Sequence, residues 1–562
     1  MIQHAPAHRP ATPGARTPAG RSAIVIGGGL AGLAAAVELR THGLDVTLVE
    51  RNEHLGGKMN VYSEKGFSFD MGPTILTLPQ VVRGIIERTG RRVDDLLQLV
   101  RLDPQWRCLF HDGAAIDLLD DPARMAQSLD RQFPGSGAGG GWVELLEYSR
   151  RMFRLSEKVF FYRDLGGMGD LMRRPPTGEP GLLGDVMRMR MLATMAGTVH
   201  RHIREPHMAQ LCEHFLQYVG SSPFLAPSIL ALIASAQADQ GCWYAMGGTR
   251  NVARALERCL REDGATVITG CGVRKILSEG SRARGVELDD GRTIDADVVV
   301  SNCDVQRTYR DLMGDPAALR EQRGIGRAWT PACSGVVLYL GLSRQYDHLA
   351  HHDFLFSSNS QSEFGDIYGA GIPARDPTLY LCVPSRTDPS QAPAGCEALY
   401  VLVHTPFVRP GQRWDGPGGM LEQYRPVILR KLKHHGMDDI ERHIVVERHL
   451  TPAGIDRMYN AEGGAIYGLA SHGLFKGGFK PRNRSRVLGN LYLAGGSANP
   501  GPGTPMVMMS GVTAARSACE DLGVPLVGEV HTANQPGMPT STMPAASGAA
   551  RRAAQAVGAG SA

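Results

Sequence analysis

The sequence predicts an α/β fold in which one parallel sheet is assembled from segments far apart in the chain, with a region of mixed sheet and helix inserted between them. Three observations predict it. A continuous apolar run, Ala23 to Ile26, enters the glycine-rich stretch GGGLAG. Residues 251–301 alternate a helix with further apolar strands. Near the C-terminus, NLYLAGGSANPGPGTPMVMMSG (Asn490 to Gly511) sets a short apolar strand, a glycine-proline loop and a new helix in succession. Continuous apolar runs are what a strand buried on both faces requires.

The chain has 562 residues, enough for two or more domains with substantial cores. It is 43% hydrophobic and 21% charged, with a net charge of +4, too mild to point to nucleic acid. The ten cysteines are scattered and none forms a CxxC, so free core thiols in a reducing, cytoplasmic compartment are expected. The first 20 residues lack the apolar stretch of a secretory signal, and the stretch after about residue 526 is dominated by Ala, Gly, Pro and Ser. Both ends are expected to be tails. No run of about 18 apolar residues predicts a transmembrane helix.

The first strand leads into Gly27, Gly29 and Gly32, the GxGxxG spacing, then an Ala-rich helix to about Gly43, then a strand, Val46 to Val49, that ends on Glu50. This is the Rossmann-type pattern. Gly27 permits a tight turn, Gly29 lets backbone approach a pyrophosphate, and Gly32 lets the helix pack on the strand; Ala31 lies in the same first helical turn. Glu50 suits a ribose diol. The chain runs on through Arg51 to Gly56, Gly57 and Lys58, a second glycine pair between cations. That pair suits a ligand longer than NAD, whose diphosphate and flavin continue past the first site, and FAD is the expected cofactor.

Further on, GFSFDMGPTIL carries Gly72, Pro73 and Thr74, either an ordinary turn or one that brings backbone donors to an isoalloxazine ring. A helix, Asn251 to Glu262, leads to strands at Thr266–Thr269 and Val273–Leu277, a turn at Asp289-Asp290-Gly291 and a buried strand at Asp295–Ser301. At the C-terminal stretch, Gly495 and Gly496 would admit the ligand to the strand end. Pro505 and Met506 open a helix whose free N–H groups would face the flavin.

The first motif resembles the extended FAD motif of the amine oxidase and carotenoid desaturase superfamily. In that superfamily a valine matching Val273 offers its backbone to the adenine. Over roughly residues 21–523 the chain resembles the bacterial-type phytoene desaturase family, most specifically in FKPRNRSRVLGNLYLAGGSANPGPGTPMVMMSG, GGAIYGLA and ADVVVSNCD. The resemblance implies a Rossmann-type FAD-binding domain with an inserted substrate domain. The division expected is FAD-binding segments at 21–95, 241–305 and 476–525, a helical substrate or membrane-associated region at 96–240, and a substrate domain at 306–475. It also implies a desaturase that adds double bonds to a C30 or C40 polyene by hydride transfer to flavin. HHDFLF and the stretch from Asp376 to Pro406 are reminiscent of a branch acting on partly desaturated or hydroxylated polyenes. The family commonly has Thr-His where Ala498-Asn499 stand here, so no imidazole is expected beside the flavin at that place.

A polyene site needs an apolar tunnel rather than a constellation of charges, and no catalytic residue or metal ligand is assigned. His348, His351 and His352 (HLAHH) lack an acidic partner at metal-ligand spacing, and Asp239 is either a base or, in the blander reading, a capping or surface carboxylate. Residues 150–204 hold 11 Lys/Arg against 5 Asp/Glu among apolar residues, which with a bilayer-borne substrate predicts peripheral docking on a membrane. Alternatives within the same fold are a polyene isomerase or saturase, or an amine oxidase; from another class, a flavin-binding lipid carrier.

Overall fold

The computed structural model describes residues 20–167, 169–170, 193–474 and 476–530. Residues 1–19 and 531–562, most of the two expected tails, and residues 171–192, where part of the cationic excess lies, fall outside the described residues. The parallel sheet has five strands in the order Leu491–Leu493, Val298–Ser301, Ser22–Ile26, Asp45–Val49 and Thr266–Ile268. Its central register pairs Ile24 with Val299 on one side and Thr47 on the other. Asp295 belongs to a separate three-stranded antiparallel sheet with Val273–Glu279 and Arg282–Leu288, so the buried strand begins later than the sequence predicts, at Val298. The turn at Asp289–Gly291 closes that small sheet, with the Gly291 N–H donating to the Leu288 carbonyl.

The Leu30–Thr41 helix is buried from Leu30 to Leu39 and lies against the C-terminal helix Thr504–Leu522. Small residues make this possible: a Cβ on Gly511 would come within 2.1 Å of the Ala31 carbonyl oxygen. The contact is completed by a buried carboxylate, Glu38, which accepts from Arg88 at 2.8 Å and from Arg516 at 2.7 Å. The first and last segments of the nucleotide fold are thereby tied together.

The second sheet has seven strands, in the order Ile444–Leu450, Ser334–Leu342, Glu397–Thr405, Leu379–Cys382, His352–Leu355, Trp106–Leu109 and Ala115–Leu118. Segment 96–240 is therefore not helical throughout: it contributes two strands to the sheet built by residues 334–450. Ser334–Leu342 and Glu397–Thr405 pair over nine residues and are buried on both faces, hence their near-continuous apolar sequences. Alternation sorts their side chains. Val336, Leu338, Leu399, Val401 and Leu381 form one core with the Met420–His434 helix. Val337, Tyr339, Tyr380, Tyr400, Leu402 and Phe354 face the other way, into the core shared with the nucleotide sheet. Helices Ala138–Val159, Pro206–His214 and Leu232–Gln240 cover that inner face. Among the described residues no helix is long and apolar enough to cross a membrane.

Candidate flavin and substrate site

One cavity of about 610 Å³ runs from the glycine motifs into the space between the two sheets. Of the residues singled out in the sequence, Gly27, Gly29, Ala31, Glu50, Arg51, Gly57, Lys58, Gly72, Pro73, Thr74, Val273, Gly495, Gly496, Pro505 and Met506 all line it. Gly32 does not. It lies beneath the turn, where a Cβ would sit 1.9 Å from the Gly27 carbonyl oxygen.

The nucleotide end is built from backbone. Gly27 has φ +90° and its N–H donates to the Val49 carbonyl at 2.8 Å, which turns the chain out of the first strand. The second glycine pair stacks on the first: the Gly56 N–H donates to the Gly28 carbonyl at 2.8 Å, and a Cβ on Gly57 would stand 3.1 Å from the Gly29 Cα. Gly72 closes the floor, 1.9 Å being all that a Cβ would have from the Lys58 carbonyl oxygen. The Glu50 carboxylate is buried and accepts from the Gly28 N–H at 2.7 Å and from the Asn52 N–H at 2.8 Å. It is thus fixed at the end of its strand, at the cavity wall.

Two helix N-termini open onto this cavity. Neither Leu30–Thr41 nor Thr504–Leu522 has a side-chain cap or an acidic residue in its first turn, and Gly29 and Gly503 precede them. Uncapped first-turn N–H groups and the positive ends of two helix dipoles suit an anionic, acceptor-rich ligand. These residues fit a flavin dinucleotide. The cations flanking the second glycine pair are engaged elsewhere: Arg51 donates to the Arg457 carbonyl, and Lys58 to the carbonyls of Ala465 and Ile466. Burial pulls the Lys58 ammonium down to about 8, opposed by Asp304.

Beyond the glycines the cavity becomes an aromatic and aliphatic gallery. The rings of Trp106 and Phe354 lie 4.5 Å apart and those of Phe354 and Tyr380 4.9 Å apart. Leu230, Ile233, Phe160 and Phe161 face them from the helical side. Two imidazoles, His214 and His404, also line it. Burial pushes His214 down to about 3, helped by neighbouring His404, and pushes His404 down to about 4. The Nε2 of His214 is buried without a hydrogen-bond partner, and that of His404 lies 3.4 Å from the Tyr467 hydroxyl. Lys480, 1% exposed, reaches the same cavity and donates to the Ser471 hydroxyl at 2.8 Å.

Sequence reasoning did not single out these imidazoles, Lys480 or Asn302. Asn302 follows the strand Val298–Ser301, and its amide nitrogen would lie 2.8–3.2 Å from Cβ atoms placed on Gly29 and Gly32. The ADVVVSNCD motif was the signal for it. Ala498 and Asn499 are buried and do not line the cavity; Asn499 is held by its N–H bond to the Pro481 carbonyl. Asp239 forms a two-pronged ion pair with Arg150. His348 stands apart, whereas His351 and His352 meet Cys382 in a buried group.

Residues 30–519 match the family model described as flavin containing amine oxidoreductase. The chain belongs to that family. It is an FAD-dependent oxidoreductase. It is 37% identical over 491 residues to the 4,4'-diapolycopene oxygenase of Methylomonas sp, covering 87% of this chain and 96% of the relative. It is 36% identical over 488 residues to the 4,4'-diaponeurosporene oxygenase of Staphylococcus haemolyticus (strain JCSC1435), covering 87% and 95%. Among solved structures, an oxidoreductase from Methanosarcina mazei superposes with a TM-score of 0.57 at 17% identity, over 89% of this chain and all of the other. Putrescine oxidase bound to putrescine gives 0.56 at 14% identity, over 90% and 99%. These two likenesses show the fold.

Proposed function

We propose that this flavoprotein oxidises an acyclic polyene of the C30 or C40 class at or near the end of its chain. The observation that carries the reading is the gallery: it is continuous with the flavin cleft, walled by aromatic rings, and contains two neutral imidazoles, one with a free buried nitrogen. A hydrocarbon alone has no use for a buried, unpaired imidazole, whereas a hydroxyl or aldehyde at a polyene terminus pairs with it. The names of the relatives, a 4,4'-diapolycopene oxygenase and a 4,4'-diaponeurosporene oxygenase, support an oxidation that adds oxygen.

In this reading the N–H groups at Gly29 and Ala31 hold the diphosphate, Glu50 the ribose, the Val273 backbone the adenine, and the helix start at Pro505 and Met506 the flavin edge. FAD, when bound, would supply the two-electron acceptor, and one water molecule the oxygen atom that the chain end gains. The chain orients the polyene along the gallery, excludes bulk water from it, and holds the oxygenated carbon between His214 and His404. Docking at a membrane surface follows from a substrate that resides in the bilayer.

Insertion of a double bond into the polyene is the second reading, favoured by the apolar character of the rest of the gallery. The test is to incubate the FAD-loaded full chain with liposomes carrying an acyclic polyene and to follow products by mass and absorption. Gain of oxygen supports terminal oxidation; loss of two hydrogens with a red shift establishes desaturation instead. Unchanged mass with a shifted spectrum is isomerisation, and an unaltered polyene with unbleached flavin is a carrier; either overturns both readings.

A further inference from the structure

Two residues beyond Tyr380 on the inner face of the second sheet, Cys382 lies directly opposite His352 across an antiparallel pair. His351 is adjacent, its carbonyl accepting from the Val383 N–H at 2.8 Å. One ring nitrogen of each histidine and the Cys382 sulfur lie within 4.8 Å of one another, and all three residues are buried. Around one ion with metal–ligand bonds of about 2.0–2.3 Å the three atoms would stand roughly 3.3–4 Å apart, so small side-chain rotations close the group onto an ion.

The hydrogen bonding of the rings is equally specific. His351 Nδ1 pairs with the Thr387 hydroxyl at 2.6 Å, and His352 Nδ1 with the Tyr380 hydroxyl at 2.9 Å. Both Nε2 atoms are buried without a partner. A neutral imidazole whose Nδ1–H is donated carries its lone pair on Nε2, the arrangement that second-layer partners impose on metal-binding histidines. The nearby carboxylates are Asp388 at His351 and Asp70 at Cys382, which would balance added positive charge.

We propose that His351, His352 and Cys382 hold one thiophilic, imidazole-binding cation, Zn(II) or Cu(I). Binding forms two N–metal bonds and one S–metal bond and releases the thiol proton to solvent, with no change of oxidation state. Three ligands suit three-coordinate Cu(I), or tetrahedral Zn(II) with one further ligand. Because Tyr380 also bonds Thr74 in the cavity wall, the cation would brace the wall of the flavin and polyene cavity from behind.

The test is metal analysis of the FAD-loaded full chain, expressed with both metals available and purified without chelator. The expected result is about one zinc or copper per chain, falling about tenfold or more in Cys382→Ser at unchanged FAD content. Cys271→Ser, at a more exposed thiol, is expected to keep the metal. Should Cys382→Ser fail to fold, Co(II) added to chelator-treated wild-type protein is expected to give thiolate–cobalt bands at wavelengths beyond flavin absorption. Metal below about a tenth per chain together with no cobalt bands, or full metal retention in Cys382→Ser, overturns the proposal.

Discussion

Gly32 lies under the turn of Gly27, so close that a Cβ on it would come within 1.9 Å of the Gly27 carbonyl oxygen. The clash is with backbone, which cannot swing aside as a side chain does. Gly32→Ala must therefore displace either the helix or the turn that faces the diphosphate. Overpacking of this kind costs about 1–3 kcal/mol, and each 1.4 kcal/mol is about tenfold in affinity. The Kd for FAD, measured by fluorescence quenching on apoprotein, is expected to rise about tenfold or more. An unchanged Kd would show that Gly32 does not shape the cofactor turn.

Glu38 joins three elements: its own helix, Arg88 and the C-terminal Arg516, at 2.7–3.0 Å. The carboxylate is 1% exposed. Removing it leaves two guanidinium groups partly buried with no counter-charge. Breaking a buried ion pair from one side costs about 3–5 kcal/mol. Glu38→Ala is expected to lose stability of that order in urea unfolding of the FAD-loaded protein. A loss below about 1 kcal/mol would mean that the arginines find water instead.

Much of the nucleotide half is legible because its signals are local. Strand, glycines, helix, strand and acid follow one another from Ala23 to Glu50, each dictated by its own backbone requirement. The stacking of Gly56 on Gly28 is a three-dimensional consequence of the same run. The gallery was illegible for a physical reason. EALYVLVHT is buried on both faces, so no polar alternation tells that Tyr400, Leu402 and His404 face the cavity while Leu399 and Val401 face away. His214 comes from a helix nearly 200 residues earlier, and nothing in its local sequence points to His404. The Cys382 partner of HLAHH was hidden likewise, since cross-strand pairing supplies what spacing along one segment lacks.

Lys480 is a buried cation held down to about 7 by desolvation, against an ordinary value of 10.5. Between those two pH values the unfolded chain carries a proton at this site that the folded chain has released. Stability contributed by Lys480 therefore rises as pH increases from about 7 towards 10, by at most about 1.4 kcal/mol per pH unit, and is flat below 7. The difference in unfolding free energy between wild type and Lys480→Met is expected to follow that course. A difference independent of pH from 6 to 10 would show that the ammonium stays charged in the fold, held by Ser471 and the Ala470 carbonyl.

His214 offers the sharpest separation between a site for hydrocarbon and one for an oxygenated chain end. Its ring is enclosed by Phe354 and Phe356 at centroid distances of 4.8 and 5.1 Å, so a phenyl ring in its place keeps the aromatic wall. What His214→Phe removes is the free nitrogen. A hydrogen bond in such surroundings contributes about 0.5–1.5 kcal/mol, and leaving its partner unsatisfied costs about 1–3 kcal/mol. Affinity for a polyene ending in an aldehyde or alcohol, read from perturbation of the flavin spectrum, is expected to fall about tenfold, while affinity for the parent hydrocarbon stays within about twofold. Because burial keeps both gallery imidazoles neutral above about 4, this discrimination is expected to be constant from pH 6 to 9. Equal losses for both ligands would assign His214 to packing alone and return the reaction to desaturation along the chain.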